Sequence, residues 1–187
     1  MSGFFLALMA CLAVLLPGRE CVRVAQLAAR LGAGTGLLAA LAVSAVASSA
    51  IAAWAGTLLA PAMPGPARQM LVALALVLGA AELAWRAAPR PPAEPTHSAG
   101  AMLVVLLASQ LTDGARLLVF ALAIATAAPV TVALGGTLAS VVALTAAALA
   151  GSHWPDAARL RPLSWIVAAV LAVFGVVTGM MARGLFG

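Results

Sequence analysis

The segment LLASQLTDGARLLVFALA, residues 106–123, places four polar side chains in the middle of an apolar run: Gln110, Thr112, Asp113 and Arg116. A charged side chain inside a membrane span is costly, so it usually has a partner or a function. The segment therefore indicates a membrane helix whose centre is either internally paired or functional.

The whole chain has the composition of an integral membrane protein. Of its 187 residues, 65% are hydrophobic and 8% are charged, whereas soluble domains have about 25% charged residues. Mean hydropathy is +1.15. We therefore predict an all-α membrane protein whose main surroundings are the lipid bilayer. The net charge of +5 comes from dispersed arginines without interleaved aromatic residues, which excludes a nucleic-acid partner.

Six apolar segments are long enough to span a membrane, which takes about 20 residues each. They cover residues 3–29, 35–60, 67–86, 100–127, 130–151 and 163–184. A proline-rich stretch at 87–98 separates three segments from three, which predicts a first repeat at 1–86, a linker, and a second repeat at 99–187.

Glycine landmarks in the two halves support an internal repeat. Gly56 and Gly151 are 95 residues apart, and Gly79 and Gly175 are 96 residues apart. Because each unit has three helices, the second must enter the membrane from the opposite side. The sequence therefore predicts two inverted three-helix repeats, an arrangement typical of secondary transporters.

The arginines predict the orientation, since cytoplasmic loops are enriched in positive charge. The first, third and fifth connections have seven of them, and the other side has two, Arg68 and Arg183. The seven are Arg19, Arg23, Arg30, Arg86, Arg90, Arg159 and Arg161. We expect a bacterial inner-membrane protein with a cytoplasmic linker and both termini outside.

The polar centre of the fourth segment predicts an ion or proton site. Gln110 and Asp113 are three residues apart, so on a continuous helix they share a face, and Thr112 adds a hydroxyl. Hard divalent cations prefer such oxygen donors, and the carboxylate can also take a proton. The alternative is that Asp113 pairs with Arg116 at i+3, which only neutralises both charges.

The first segment has a second polar stretch, at LLPGRECVR, residues 15–23. Pro17 and Gly18 break or kink the helix, because proline removes a backbone hydrogen bond. Glu20 and Arg23 form the better i, i+3 pair. The alternative is an interfacial helix end, with charges reaching out to water.

Other polar groups favour ordinary roles. Glu82 with Arg86 makes a favourable i, i+4 pair, and His97 and His153 lie in polar loops. Serines in the second and fifth segments allow close helix packing and interhelical hydrogen bonds. No nucleophile with a base, zinc spacing or phosphate-binding loop is present in the sequence, so we expect a protein that is not an enzyme and has no resident cofactor.

The two polar stretches resemble the motif of the GDT-type family, the transmembrane protein 165-like members of the lysine-exporter-type superfamily. That motif is Glu-x-Gly-Asp-Lys/Arg-Thr/Ser, once in each half. In the second half Gln110 stands at the Glu position, Thr112 replaces Gly and Asp113 is kept. In the first half Gly18 is kept and Arg19 replaces Asp. The following helix, with its glycine pair, is also similar to the family.

The resemblance implies antiport of manganese or calcium against protons. Asp113 would be the core carboxylate, Gln110 and Thr112 oxygen donors, and Glu20 a partner across the repeat interface. The resemblance also implies Arg116 and Arg19 as counter-charges. Two alternatives stay open: a membrane scaffold that lost the ion site, and an exporter of a small organic substrate whose amine binds Asp113. A homo-oligomer or a membrane partner is compatible with either.

Overall fold

The computed structural model describes residues 2–85 and 98–185, and the regular elements in these ranges are all helical. The helices are α1 (Ser2–Leu15), α2 (Arg19–Leu31), α3 (Thr35–Leu59), α4 (Gly65–Ala84), α5 (Ala99–Leu111), α6 (Gly114–Thr126), α7 (Pro129–Ala150) and α8 (Ala157–Ala182). Short 3₁₀ turns follow α3 and α7. The prediction of an all-helical membrane protein is confirmed.

Four helices, α3, α4, α7 and α8, are long and apolar enough to cross a membrane. The pairs α1–α2 and α5–α6 are bent by 63° and 61°, and they raise the count to six if each pair is one span. A helix of 13 or 14 residues is about 20 Å long, shorter than the ~30 Å hydrocarbon core. Each bent pair is therefore long enough to cross a membrane only as a unit, and neither of its helices is long enough alone.

The first break, residues 16–18, follows from Pro17 and Gly18. The Gly18 N–H donates to the Leu15 carbonyl at 2.7 Å, which closes a tight turn. A Cβ on Gly18 would lie 2.5 Å from that carbonyl oxygen, so only glycine fits the turn. Ser164 of α8 donates to the Pro17 carbonyl at 3.4 Å. The break predicted at Pro17 is therefore present, and a neighbouring helix forms a hydrogen bond to it.

The second break, residues 112–113, corrects the sequence analysis. Segment 100–127 is not one continuous helix: α5 ends at Leu111 and α6 begins at Gly114, with Asp113 in extended conformation at its N-cap. The Thr112 hydroxyl donates to the Ser109 carbonyl at 3.0 Å and closes the end of α5. Gln110 and Asp113 consequently lie on two different helices and do not share a face.

The element order repeats, because each half has a broken helix followed by two long ones. The breaks at 16–18 and 112–113 occupy corresponding places in the two halves. The first part of each broken helix packs on the long central helix of the other half, α1 on α7 and α5 on α3. The two halves thus form one bundle. Their inverted orientation and the cytoplasmic linker stay predictions, since residues 86–97 lie outside the described residues.

Small residues bring the helices of the bundle close together. A side chain on Gly135 of α7 would meet the backbone of α1, and one on Gly175 of α8 would lie 3.0 Å from the Ala73 carbonyl of α4. Such contacts are typical of membrane helices, where packing rather than hydrophobic transfer drives association. The helices are therefore closely packed, and this packing fixes the positions of the polar groups described next.

Candidate ion site at the helix breaks

Arg116 organises the interior of the bundle next to the second break. Its side chain is 3% exposed. Nε donates to the Ser48 hydroxyl at 2.7 Å, and one terminal nitrogen donates to Gln110 Oε1 at 3.1 Å and to the Ser140 hydroxyl at 2.8 Å. The other terminal nitrogen is buried without a hydrogen-bond partner among the described residues. One guanidinium on α6 therefore joins α3, α5 and α7.

Gln110 belongs to this network. Its amide nitrogen donates to Ser44 at 2.8 Å, and its oxygen accepts from Ser48 at 3.0 Å as well as from Arg116. A carbonyl oxygen has two lone pairs, so both are used. The interhelical hydrogen bonds expected of the serines are present. Gln110 as a cation ligand stays a prediction, and it would have to give up these bonds.

The Asp113 carboxylate is not part of the hydrogen-bond network around Arg116. It is 6% exposed, and although it is the N-cap of α6, its carboxylate makes no capping hydrogen bond. The ion pair with Arg116, considered from the sequence, is absent among the described residues, because the guanidinium binds the neutral groups of Ser48, Gln110 and Ser140 instead. The role of Arg116 as a counter-charge to Asp113, without a direct ion pair, stays a prediction.

The carboxylate of Asp113 lines a cavity of about 440 Å³ between α3, α4 and α6. Thr112, Glu82 and Arg116 line the same cavity, whose other walls are largely apolar. We call it the Asp113 cavity. Thr112 uses its proton on a backbone carbonyl, which leaves oxygen lone pairs for a ligand. Gln110 and Glu20 are not among the residues that line it.

Glu82 is the residue that the sequence analysis undervalued. From α4 its Oε2 accepts a hydrogen bond from the Gly114 N–H at 2.8 Å, the first residue of α6. Its Oε1 lies 3.1 Å from Arg19 Nε. The signal in the sequence was a lone acid in an apolar span. The predicted partner Arg86 lies outside the described residues.

Gly114 explains how Glu82 reaches the second break. A Cβ on Gly114 would lie 2.8 Å from Glu82 Oε2 and 3.3 Å from the backbone of Gly79. The absence of a side chain therefore lets α4 approach the first turn of α6. The positive end of that helix then stabilises the carboxylate.

Glu20 lies at the first break and is almost completely buried, 1% exposed. Its Oε1 accepts from Arg23 at 3.0 Å and lies 3.8 Å from Arg19 Nε, and its Oε2 accepts from Ser109 of α5 at 3.0 Å. The i, i+3 pair with Arg23 is confirmed. Glu20 does not reach out to water, so the interfacial alternative is wrong for this side chain.

The two breaks thus differ in what they offer a ligand. At the first, the acid is fully paired; at the second, Asp113 and Glu82 border a cavity. Within residues 2–85 and 98–185, no group of three or more His, Cys, Asp or Glu side chains has the arrangement of a metal site. The geometry suits a hard cation or protons held by two carboxylates, rather than a tightly bound resident metal.

Comparison with known protein families agrees with this chemistry. Residues 98–184 match the family model described as GDT1, divalent cation/proton antiporter GDT1. This match shows that the second half of the chain is similar to the GDT1 family. No curated protein and no solved structure matches the chain. The resemblance predicted from the second half is confirmed.

The GDT1 match spans α5 to α8 and so includes Gln110, the second break and Arg116. Of the two carboxylates at the Asp113 cavity, Asp113 lies inside the match and Glu82 outside it. GDT1 family members are transporters rather than enzymes, which agrees with the expectation from the sequence. The second half of the chain is therefore similar to an antiporter family, and the apolar helices indicate an integral membrane protein.

Proposed function

We propose that the protein exchanges a divalent cation, manganese or calcium, for protons, and that Asp113 and Glu82 bind both cargoes in turn. One observation supports this most directly. The buried carboxylate of Asp113 has no ion-pair or hydrogen-bond partner among the described residues and borders the same cavity as Glu82. A buried charge without a partner is costly, so a cation or a proton is needed there.

The oxygen donors fit a hard cation. Two carboxylates balance the charge of one divalent ion, and the Thr112 hydroxyl adds a neutral oxygen. Manganese and calcium accept such ligands and complete their coordination with water. The cavity, at about 440 Å³, has space for that water. Two carboxylates give a site weak enough to release its cargo.

Exchange follows if cation and protons compete for the same oxygens. With both carboxylates ionised, the cavity binds one divalent cation; with both protonated, it binds none. One cation moving against two protons leaves the charge of the site unchanged in both states. Arg116, held by Ser48, Gln110 and Ser140, stays in place throughout and keeps the second break in shape.

The test is flux in proteoliposomes with Mn²⁺ or Ca²⁺ outside and a pH-sensitive dye inside. We expect wild-type protein to couple cation entry to proton exit. Asp113→Asn should reduce the initial rate by at least about 30-fold, since loss of a buried charged partner costs about 2 kcal/mol or more. The matched control is Asp156→Asn, an exposed acid at the N-cap of α8. Equal rates in wild type and Asp113→Asn contradict the proposal.

A second candidate cargo is a small organic amine. The cavity is larger than a bare ion, and apolar residues such as Ile51, Leu78 and Phe120 line it beside the carboxylates. The same liposomes loaded with a radiolabelled diamine distinguish the two. The third alternative, a scaffold without a site, required Asp113 paired to Arg116 in a dry interior, and the described residues show no such pair.

Orientation and assembly are part of the proposal. We place the linker in the cytoplasm and both termini outside, in a bacterial inner membrane, because the arginines near the first, third and fifth connections outnumber those opposite. Labelling of single cysteines placed at 92 and after residue 187 in intact cells tests this. Whether the chain works alone, as a homo-oligomer or with a membrane partner is measured by cross-linking in the same membranes.

A further inference from the structure

Arg19 occupies an unusual place at the first break. It is the first residue of α2, and its Nε lies 3.1 Å from Glu82 Oε1 and 3.8 Å from Glu20 Oε1. The guanidinium therefore lies between a carboxylate that borders the Asp113 cavity and one that does not.

We propose that the Arg19 guanidinium competes with the transported cation for the Glu82 carboxylate, and that this competition sets the affinity of the Asp113 cavity for the cation. This inference rests on the proposed function. Glu82 has two oxygens: one is held by the Gly114 N–H, the other faces Arg19. A cation that binds Asp113 and Glu82 must displace a positive charge that is already at the second oxygen.

The ion pair between Arg19 and Glu82 can be broken by movement of the Arg19 side chain. The Arg19 side chain is 35% exposed, so it can move outward without crossing the packed interior. Glu20 remains neutralised after this movement, because Arg23 donates to it at 3.0 Å and Ser109 at 3.0 Å. Displacement of Arg19 thus makes the Glu82 carboxylate available to the cation, while Glu20 stays paired. A residue at the first break thereby changes the cation affinity of the cavity at the second break.

Arg23 offers a matched control. It has the same charge, the same 35% exposure and the same helix, and it pairs with Glu20, but no ion pair joins it to Glu82 among the described residues. A general effect of positive charge near the site should therefore appear equally in both arginines. An effect of competition should appear in Arg19 only.

The experiment is calorimetric titration of the detergent-purified full chain with MnCl₂, for wild type, Arg19→Gln, Arg19→Lys and Arg23→Gln. We expect Arg19→Gln to bind Mn²⁺ roughly fivefold more tightly, the size of effect expected when a partly exposed ion pair is removed. Arg19→Lys, which retains the charge, should stay near wild type. Arg23→Gln should change affinity less than twofold.

The outcomes separate the two proposals. Wild-type binding that Arg19→Gln leaves unchanged or weakens overturns the competitor role and leaves the antiport proposal intact. Equal tightening in Arg19→Gln and Arg23→Gln also overturns it, because the effect is then general. Absence of Mn²⁺ binding in all four folded variants overturns the proposed function, and the inference with it. A cooperative thermal unfolding transition in Arg19→Gln, like that of the wild type, establishes that the variant is folded.

Discussion

The two helix breaks have the same position in their halves but opposite electrostatics. At the first break, Glu20 is buried and bound by Arg23 and Ser109, with Arg19 close by. At the second, Asp113 is also buried and has no such partner among the described residues. A broken membrane helix is therefore not sufficient for a site. The candidate site is where a helix break and a carboxylate without an ion-pair partner occur together.

The most direct test of this comparison neutralises one glutamate at each helix break. Glu82→Gln should weaken Mn²⁺ binding roughly 30-fold, since removing a charged partner from a buried site costs about 2 kcal/mol or more. Glu20→Gln should change affinity less than threefold, because Glu20 does not line the cavity. Calorimetric titration with MnCl₂ measures both. The reverse ranking restores Glu20 as the partner of Asp113, as the sequence predicted.

The sequence predicted the first break and not the second, for a physical reason. Proline cannot donate the helical hydrogen bond, so Pro17 marks a break in any context. Thr112, Asp113 and Gly114 can all be accommodated in a helix, and only the Asp-Gly pair and the N-cap preference of Asp indicated a turn. Once α5 ends at Leu111, the i+3 rule that placed Gln110 and Asp113 on one face no longer applies.

Rules based on local sequence could not predict the contacts of Glu82. Its partners Arg19 and Gly114 lie far away along the chain, and only the packing of α4 against α6 brings them together. What the sequence did predict, namely a membrane fold with repeated three-helix order and Asp113 as an unusual buried acid, rests on composition and on single residues. Pairing across helices rests on tertiary packing.

Arg116 should be the largest contributor to folding at the second break. Arg116→Met leaves Gln110, Ser48 and Ser140 without their shared donor, and we expect a loss of about 1–3 kcal/mol, the range for leaving buried hydrogen-bonding groups unsatisfied. The measurement is unfolding of the detergent-purified protein in SDS. Arg183→Met, an exposed arginine at the end of α8, is the control. A loss below 1 kcal/mol means that the network does not hold the break.

The first break depends on one glycine. Gly18→Ala places a Cβ 2.5 Å from the Leu15 carbonyl oxygen and 2.9 Å from that of Val14. Backbone atoms cannot give way, so we expect a loss of about 1–3 kcal/mol, as for other overpacked sites. Gly36→Ala, where a Cβ meets nothing within 4 Å, should be neutral or stabilising. Equal unfolding of the two variants indicates that the turn at Gly18 is not required.

The smallest expected effect concerns Thr112, which separates a ligand role from a structural one. Thr112→Val keeps the shape, removes one neutral oxygen from the Asp113 cavity, and loses a hydrogen bond to the Ser109 carbonyl. We expect Mn²⁺ affinity to fall about two- to fivefold, since a neutral hydrogen-bonding group contributes about 1 kcal/mol. Thr131→Val is the control, because Thr131 makes the same kind of backbone bond, at 3.0 Å to Ala128, at the start of α7. If both variants lose stability alike and neither changes Mn²⁺ affinity, the hydroxyl only closes α5, and Asp113 and Glu82 bind the cation with water alone.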